Sequence, residues 1–128
     1  MTIKYPIESE AQFLRKYLEF ANLLLPDEQK LVPSEMDLMI EFALLPDKFQ
    51  YQRFGSLAKN KVIESTAQRG WKLSKLNINN KLYALIDKHF LHRDEDKVIY
   101  MPKHFLHALK SFRENKSLEV KVMFNGNL

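Results

Sequence analysis

Residues 73–102 read LSKLNINNKLYALIDKHFLHRDEDKVIYMP, and the repeat of apolar positions changes partway along this stretch. In the first half Ile78, Leu82, Leu85 and Ile86 fall at i, i+4, i+7 and i+8. That is a narrow core stripe on a helix for which Ser74 supplies the N-cap. On the same wheel Asn77, Asn80, Lys81, Tyr83, Ala84 and Asp87 face outward. The second half is extended. Phe90–Arg93 and Lys97–Met101 are short β-type runs on either side of Asp94-Glu95-Asp96, which predicts a hairpin with an acidic turn.

Upstream, Ser56 can cap a helix over 57–69 whose inner face carries Leu57, Ala58, Val62 and Ile63. Gly70 suits the position after that helix because positive φ costs it little. The connector 47–55 (DKFQYQRFG) interleaves Phe49, Tyr51 and Phe54 with bases. With Trp71, these aromatics either stack unpaired bases or pack the connector onto the core, and packing is the expectation. Pro33-Ser34-Glu35-Met36-Asp37 starts an earlier helix, with Ser34 as cap, Asp37 at the capping-box position and Pro46 as its close. Residues 8–25 form a first helix stopped by Pro26. Its inward residues are Phe13, Leu14, Tyr17, Leu18, Ala21, Leu24 and Leu25, with Phe20 widening the stripe. Downstream, Pro102 opens a last helix with Phe105, Leu109 and Phe112 inward. Finally Leu118, Val120, Val122 and Phe124 alternate with Glu119, Lys121 and Met123, the period of a half-buried strand.

The predicted order is therefore four helices, a hairpin, a helix and a strand. The fold class is mainly α with a small β-hairpin (α+β), in one domain over 1–128. An N-terminal helix at 8–25 precedes a core at 34–101, and a C-terminal helix and strand occupy 102–128. The composition agrees: 128 residues with 45% apolar and 12% aromatic content hold a core without staples and exclude intrinsic disorder. With no cysteine there is no disulfide, thiolate nucleophile or cysteine-ligated zinc. The N-terminal MTIKYPIESE lacks the apolar segment of a signal peptide, and no run approaches the ~18 apolar residues of a spanning helix. Neither secretion nor membrane association is expected.

Charge is sorted along the chain. Residues 1–46 sum to −4, residues 47–88 to +6 and the remainder to +2, within a net +4. A basic middle segment of this kind points to a polyanionic partner.

Two helices joined by a short turn and followed at once by a hairpin form the plan of a winged helix-turn-helix domain. Residues 56–101 resemble such proteins, especially the small ones encoded by bacteriophages and plasmids, and the second half of the stretch is similar to plasmid replication initiators. Leu82, Leu85, Leu91, Arg93, Asp94, Asp96, Tyr100 and Pro102 carry the resemblance. The sequence departs from the pattern twice: His89 stands where the family has glycine at the helix end, and Lys97 replaces the glycine of the wing. The resemblance implies a DNA-binding protein of transcription or replication control, acting in the cytoplasm (the host's, for a phage protein). Helix 75–88 would enter the major groove of double-stranded DNA. Asn77 and Asn80 are then candidates for adenine edges, with Lys81 and Ala84 on the same face. Lys59, Lys61, Arg69, Lys72 and Lys75 are candidates for phosphates.

The alternative is a phage structural or assembly protein, located in the virion, that uses the same fold for protein–protein contact. The acidic turn, the −4 N-terminal segment and the C-terminal strand favour it. Leu118, Val120, Val122 and Phe124 are its candidate oligomer interface. Two placements are open for that strand, on the chain's own hairpin or on a neighbouring chain, and pairing between chains is expected because an edge strand invites augmentation.

KHFLH occurs at 88–92 and again at 103–107. Its four histidines, His89, His92, His104 and His107, come without a metal-binding motif, and packing explains the intervening Phe and Leu better than a metal site does. No nucleophile elbow, phosphate loop or dinucleotide fingerprint occurs, so no catalytic residue and no cofactor are expected.

Overall fold

Ser9 opens the first helix by accepting the N–H of Gln12 on its hydroxyl at 3.1 Å. The computed structural model describes residues 2–6, 9–49, 53–115 and 117–121. They form β1 (Thr2–Pro6), α1 (Glu10–Leu23), α2 (Pro33–Ala43), α3 (Ser56–Ala67), α4 (Lys75–Asp87), β2 (His92–Arg93), β3 (Ile99–Tyr100), α5 (Lys103–Asn115) and β4 (Ser117–Lys121). Single 3₁₀ turns lie at Asp27–Gln29 and Asp47–Phe49. The described residues are mainly helical, with five α-helices and two small antiparallel strand pairs. No described helix is long and apolar enough to cross a membrane.

α1 stops two residues short of the expected end, so Leu24 leaves the helical wheel and is 87% exposed instead of inward. Asn22 then fixes the path to α2. Its amide accepts the Leu31 N–H at 2.7 Å and donates to the Leu31 carbonyl at 3.1 Å. The start of α2 corrects another expectation. Val32 is the cap position, Pro33 follows it, and Glu35 reaches back to accept the Val32 N–H at 2.9 Å. The longer glutamate reaches that donor; Asp37, assigned the role from sequence, pairs with Arg15 of α1 instead.

α3 begins from Gly55, not Ser56, and buries Ala58, Val62 and Thr66 at i, i+4 and i+8. Leu57 lies a quarter-turn off that stripe and is 75% exposed, contrary to its expected inward place. Thr66 buries its hydroxyl by donating to the Val62 carbonyl at 2.8 Å.

α3 and α4 end in the same way. After α3 the Trp71 N–H bonds to the Thr66 carbonyl (2.9 Å) and the Gly70 N–H to Ala67 (3.1 Å), with Gly70 at φ 83°. After α4 the Phe90 N–H bonds to the Leu85 carbonyl (2.9 Å) and the His89 N–H to Ile86 (3.0 Å), with His89 at φ 66°. This is the helix stop that normally takes glycine, and histidine fills it the second time. The hairpin tip repeats the substitution, with Lys97 at φ 63°. Asp94 organises that tip by accepting the N–H groups of Asp96 and Val98 on one carboxylate oxygen, each at 2.9 Å.

One cluster of buried side chains draws on all five helices and the hairpin. Phe105, Leu109 and Phe112 of α5 are buried as the sequence predicts. Phe112 stacks on Phe13 of α1 with centroids 4.7 Å apart and planes 8° from parallel. Next to this stack Arg113 grips both carboxylate oxygens of Glu10, at 2.8 and 3.2 Å. The start of α1 and the end of α5 are thereby held together, and the segments beyond them meet. β4 pairs antiparallel with β1, Leu118 opposite Tyr5 and Val120 opposite Ile3. Within the chain the strand joins the unforeseen β1 and not the hairpin. Val122 and Phe124 lie outside the described residues.

Candidate nucleic-acid interface

Helix α4 is held on both flanks and open between them. Ile78, Leu82 and Leu85 are buried. On the α2 flank Lys81 donates to Ser34 at 2.9 Å, and Lys88 pairs with Glu35 at 2.6 Å. Lys81, read from sequence as a DNA contact, is thus committed to the protein's own hydroxyl. Asn77 is committed too. Its side-chain oxygen accepts the Ser74 hydroxyl at 2.8 Å and the Ser74 N–H at 3.2 Å, while its own N–H bonds to the Ser74 oxygen at 3.1 Å. The cap role and the base-reading role compete for the same amide, and the cap holds it. Ala84 is half-buried on the shoulder of the helix. The open face is the line Leu76, Asn80, Tyr83 and Asp87, at i, i+4, i+7 and i+11, all exposed.

The cations sort by face. Arg69 pairs with Glu41 of α2 and lies with Trp71 in a groove beside α1, away from the open face. Lys61 lies 3.9 Å from Glu64 on its own helix. Lys72 is exposed in the turn before α4. Lys59 and Lys75 remain beside the open face, joined by two residues that the charge count hid. Lys59, Arg93 and Lys97 line a cleft of ≈ 480 Å³ with Phe54, Gly55, Tyr83, Val98 and Ile99, a lining that holds three cations and no carboxylate. The Arg93 guanidinium stands 6.0 Å from the centre of the Tyr83 ring. Burial pushes the Lys59 ammonium below the ordinary lysine range, and the nearby charge of Lys75 lowers it further. A phosphate beside Lys59 would offset the repulsion that its ammonium feels from Lys75.

Arg93 and Lys97 escaped the sequence reading because three acids stand between them, giving the segment a negative sum. The missed signal was the Asp-x-Asp turn itself. Its first carboxylate accepts two backbone N–H groups within the turn and does not line the cleft.

The aromatics of the connector pack inward. Phe54 is buried against Phe42 with centroids 4.8 Å apart, and Phe49 and Trp71 lie against the core. Tyr51 lies outside the described residues. The two KHFLH copies converge: His89 and Phe90 from one, His104 and Phe105 from the other, line a single pocket of ≈ 180 Å³ with Tyr17 and Lys88. Among the described residues no three histidines or carboxylates gather as a metal site. Comparison of the chain with protein-family models, with curated proteins and with solved structures finds no match.

Proposed function

We propose that the protein binds double-stranded DNA as a winged helix-turn-helix module, with α4 entering the major groove and the hairpin acting as the wing. The observation that carries this reading is the pairing of an unobstructed α4 face with an acid-free cleft in which Lys59, Arg93 and Lys97 converge. The groove of B-DNA admits one helix, and flanking cations set its register on phosphates. The order α3, α4, β2, β3 supports the winged-helix assignment. So do His89 and Lys97, which adopt left-handed conformations at the two places where the resembling proteins carry glycine. By the resemblance to small phage and plasmid proteins of that kind, we propose transcription or replication control as its role.

The test is fluorescence anisotropy with a labelled random-sequence duplex across 50–200 mM salt. Four cations border the face (Lys59, Lys75, Arg93 and Lys97), so log K should fall against log salt with a slope of up to about −3.6, or −0.9 per phosphate contact. No binding at 50 mM salt rejects the proposal.

The second reading, a phage structural or assembly protein, is favoured by one observation. Leu57, Leu76, Tyr83 and Val98 are exposed apolar side chains near the start of α3, along α4 and on the hairpin. β4, the strand assigned to that interface, pairs with β1 along one edge within the chain.

A further inference from the structure

Two of the polar residues that would read bases are consumed internally, Asn77 by the α4 cap and Lys81 by Ser34. What remains toward the N-terminal end of the open face is Leu76, 69% exposed, with Asn80 one turn on and Tyr83, 53% exposed, one turn further. This leucine, on an otherwise polar helix start, belongs neither to the core cluster nor to the side chains packed on it. We propose that this face reads adjacent A·T base pairs, with Leu76 against a thymine methyl group and the Asn80 amide bidentate on adenine N6 and N7. The inference rests on the duplex-binding reading above and names what that duplex must contain.

The chemistry is complementary at both positions. In the major groove thymine alone presents a methyl group, and adenine alone presents an acceptor and a donor side by side, the pair that a carboxamide matches. Leucine offers nothing to the bare acceptors of guanine and would strip water from them without return. The spacing agrees as well. From Leu76 to Tyr83 the helix rises about 10 Å at 1.5 Å per residue, close to three base pairs at 3.4 Å each. Tyr83, with Arg93 beside its ring, then falls where the helix leaves the bases and meets the sugar–phosphate wall. Asp87 closes the line and repels phosphate, which confines insertion to the first two turns of α4.

Four 20-base-pair duplexes at low salt test this: A·T only, G·C only, A·U (thymine replaced by deoxyuridine) and I·C. The I·C duplex keeps the minor-groove edges of A·T and the major-groove edges of G·C. The intact protein should prefer A·T over G·C by roughly 5- to 150-fold, the range of one good bidentate base contact. It should treat I·C like G·C, and lose about fourfold per contacted methyl on A·U. Leu76→Ala should erase the difference between A·T and A·U while keeping the preference for A·T over G·C. Asn80→Ala should cut the latter to about the fourfold that one methyl contact supplies. Both side chains are exposed, so both variants should melt like the parent. I·C binding equal to A·T, or an A·U penalty that survives in Leu76→Ala, overturns the inference but leaves duplex binding standing. Failure of every duplex at low salt removes the duplex-binding reading and this inference with it.

Discussion

The ammonium of Lys88, at the end of α4, lies 2.6 Å from the carboxylate of Glu35, a residue only 5% exposed at the start of α2. The same carboxylate oxygen accepts the Val32 N–H, so one group both starts a helix and anchors the end of another. Glu35→Ala should lower stability by about 2–4 kcal/mol, because it uncaps α2 and leaves a largely buried cation without its partner. Lys88→Met keeps the cap and should do less harm. Denaturant unfolding of the two variants checks the ranking, and equal losses would disprove the double role.

The cations should separate by face in a binding assay. Lys59→Gln, Arg93→Gln and Lys97→Gln should each flatten the salt slope by up to about 0.9. Arg69→Gln and Lys61→Gln should leave it alone, since those side chains engage Glu41 and Glu64. A change of slope in Arg69→Gln would move the interface to the other side of the molecule.

Lys59 offers a titration test. Burial is the larger cause of its lowered pKa and Lys75 the smaller, so Lys75→Gln should raise the value part of the way back. Because the folded value lies below the unfolded one, Lys59 opposes folding wherever it is charged. That penalty fades as pH rises from the lowered folded value toward the ordinary lysine value. NMR of the lysine side-chain resonances reads both effects. An unshifted Lys59 in the Lys75→Gln variant would separate the two ammonium groups.

His89→Gly and Lys97→Gly should each stabilise the fold by about 0.5–1 kcal/mol. Both residues sit at positive φ, where a side chain costs about 1–2 kcal/mol, and glycine's greater freedom in the unfolded chain returns part of the gain. Thermal unfolding is the measurement, and a lower melting temperature in either variant would mean that its side chain holds something the backbone does not show.

The paired strands give a non-additive prediction. Deleting residues 1–6 or residues 117–128 removes one half of the same two-stranded sheet, so either deletion should lower the melting temperature. The double deletion should add little to the first, because partners in one structure do not contribute independently. The mass in solution should not change. Additive losses, or an oligomer that dissociates on truncation, would place the strand between chains after all.

The elements that sequence reading located well are those whose signal is local. The period of Ile78, Leu82 and Leu85 places α4, and the hairpin follows from an acidic turn between β-type runs. The α5 stripe of Phe105, Leu109 and Phe112 is equally plain. What was not legible depended on distance in the chain. Nothing in TIKYP announces a strand, because its partner is β4 and the Glu10–Arg113 grip that brings the two together is a tertiary fact. The candidate site failed for a related reason. Formal charge does not say which cations are already spent, and Arg69, Lys61 and Lys81 were spent on Glu41, Glu64 and Ser34. Asn77 shows the same competition inside one helix turn.

The closure of β1 on β4 also has a bearing on biosynthesis. Thr2 and Lys121 face each other across the ladder, so β1 has to wait for β4. While the ribosome is still extending the chain, α1 to α4 can collect around their core, but β1 stays without its partner until β4 has been made and has left the exit tunnel. That interval is when the nascent chain is open to edge-to-edge association. Among the described pairings, closing the loop between β1 and β4 also spans the most sequence and is entropically the slowest.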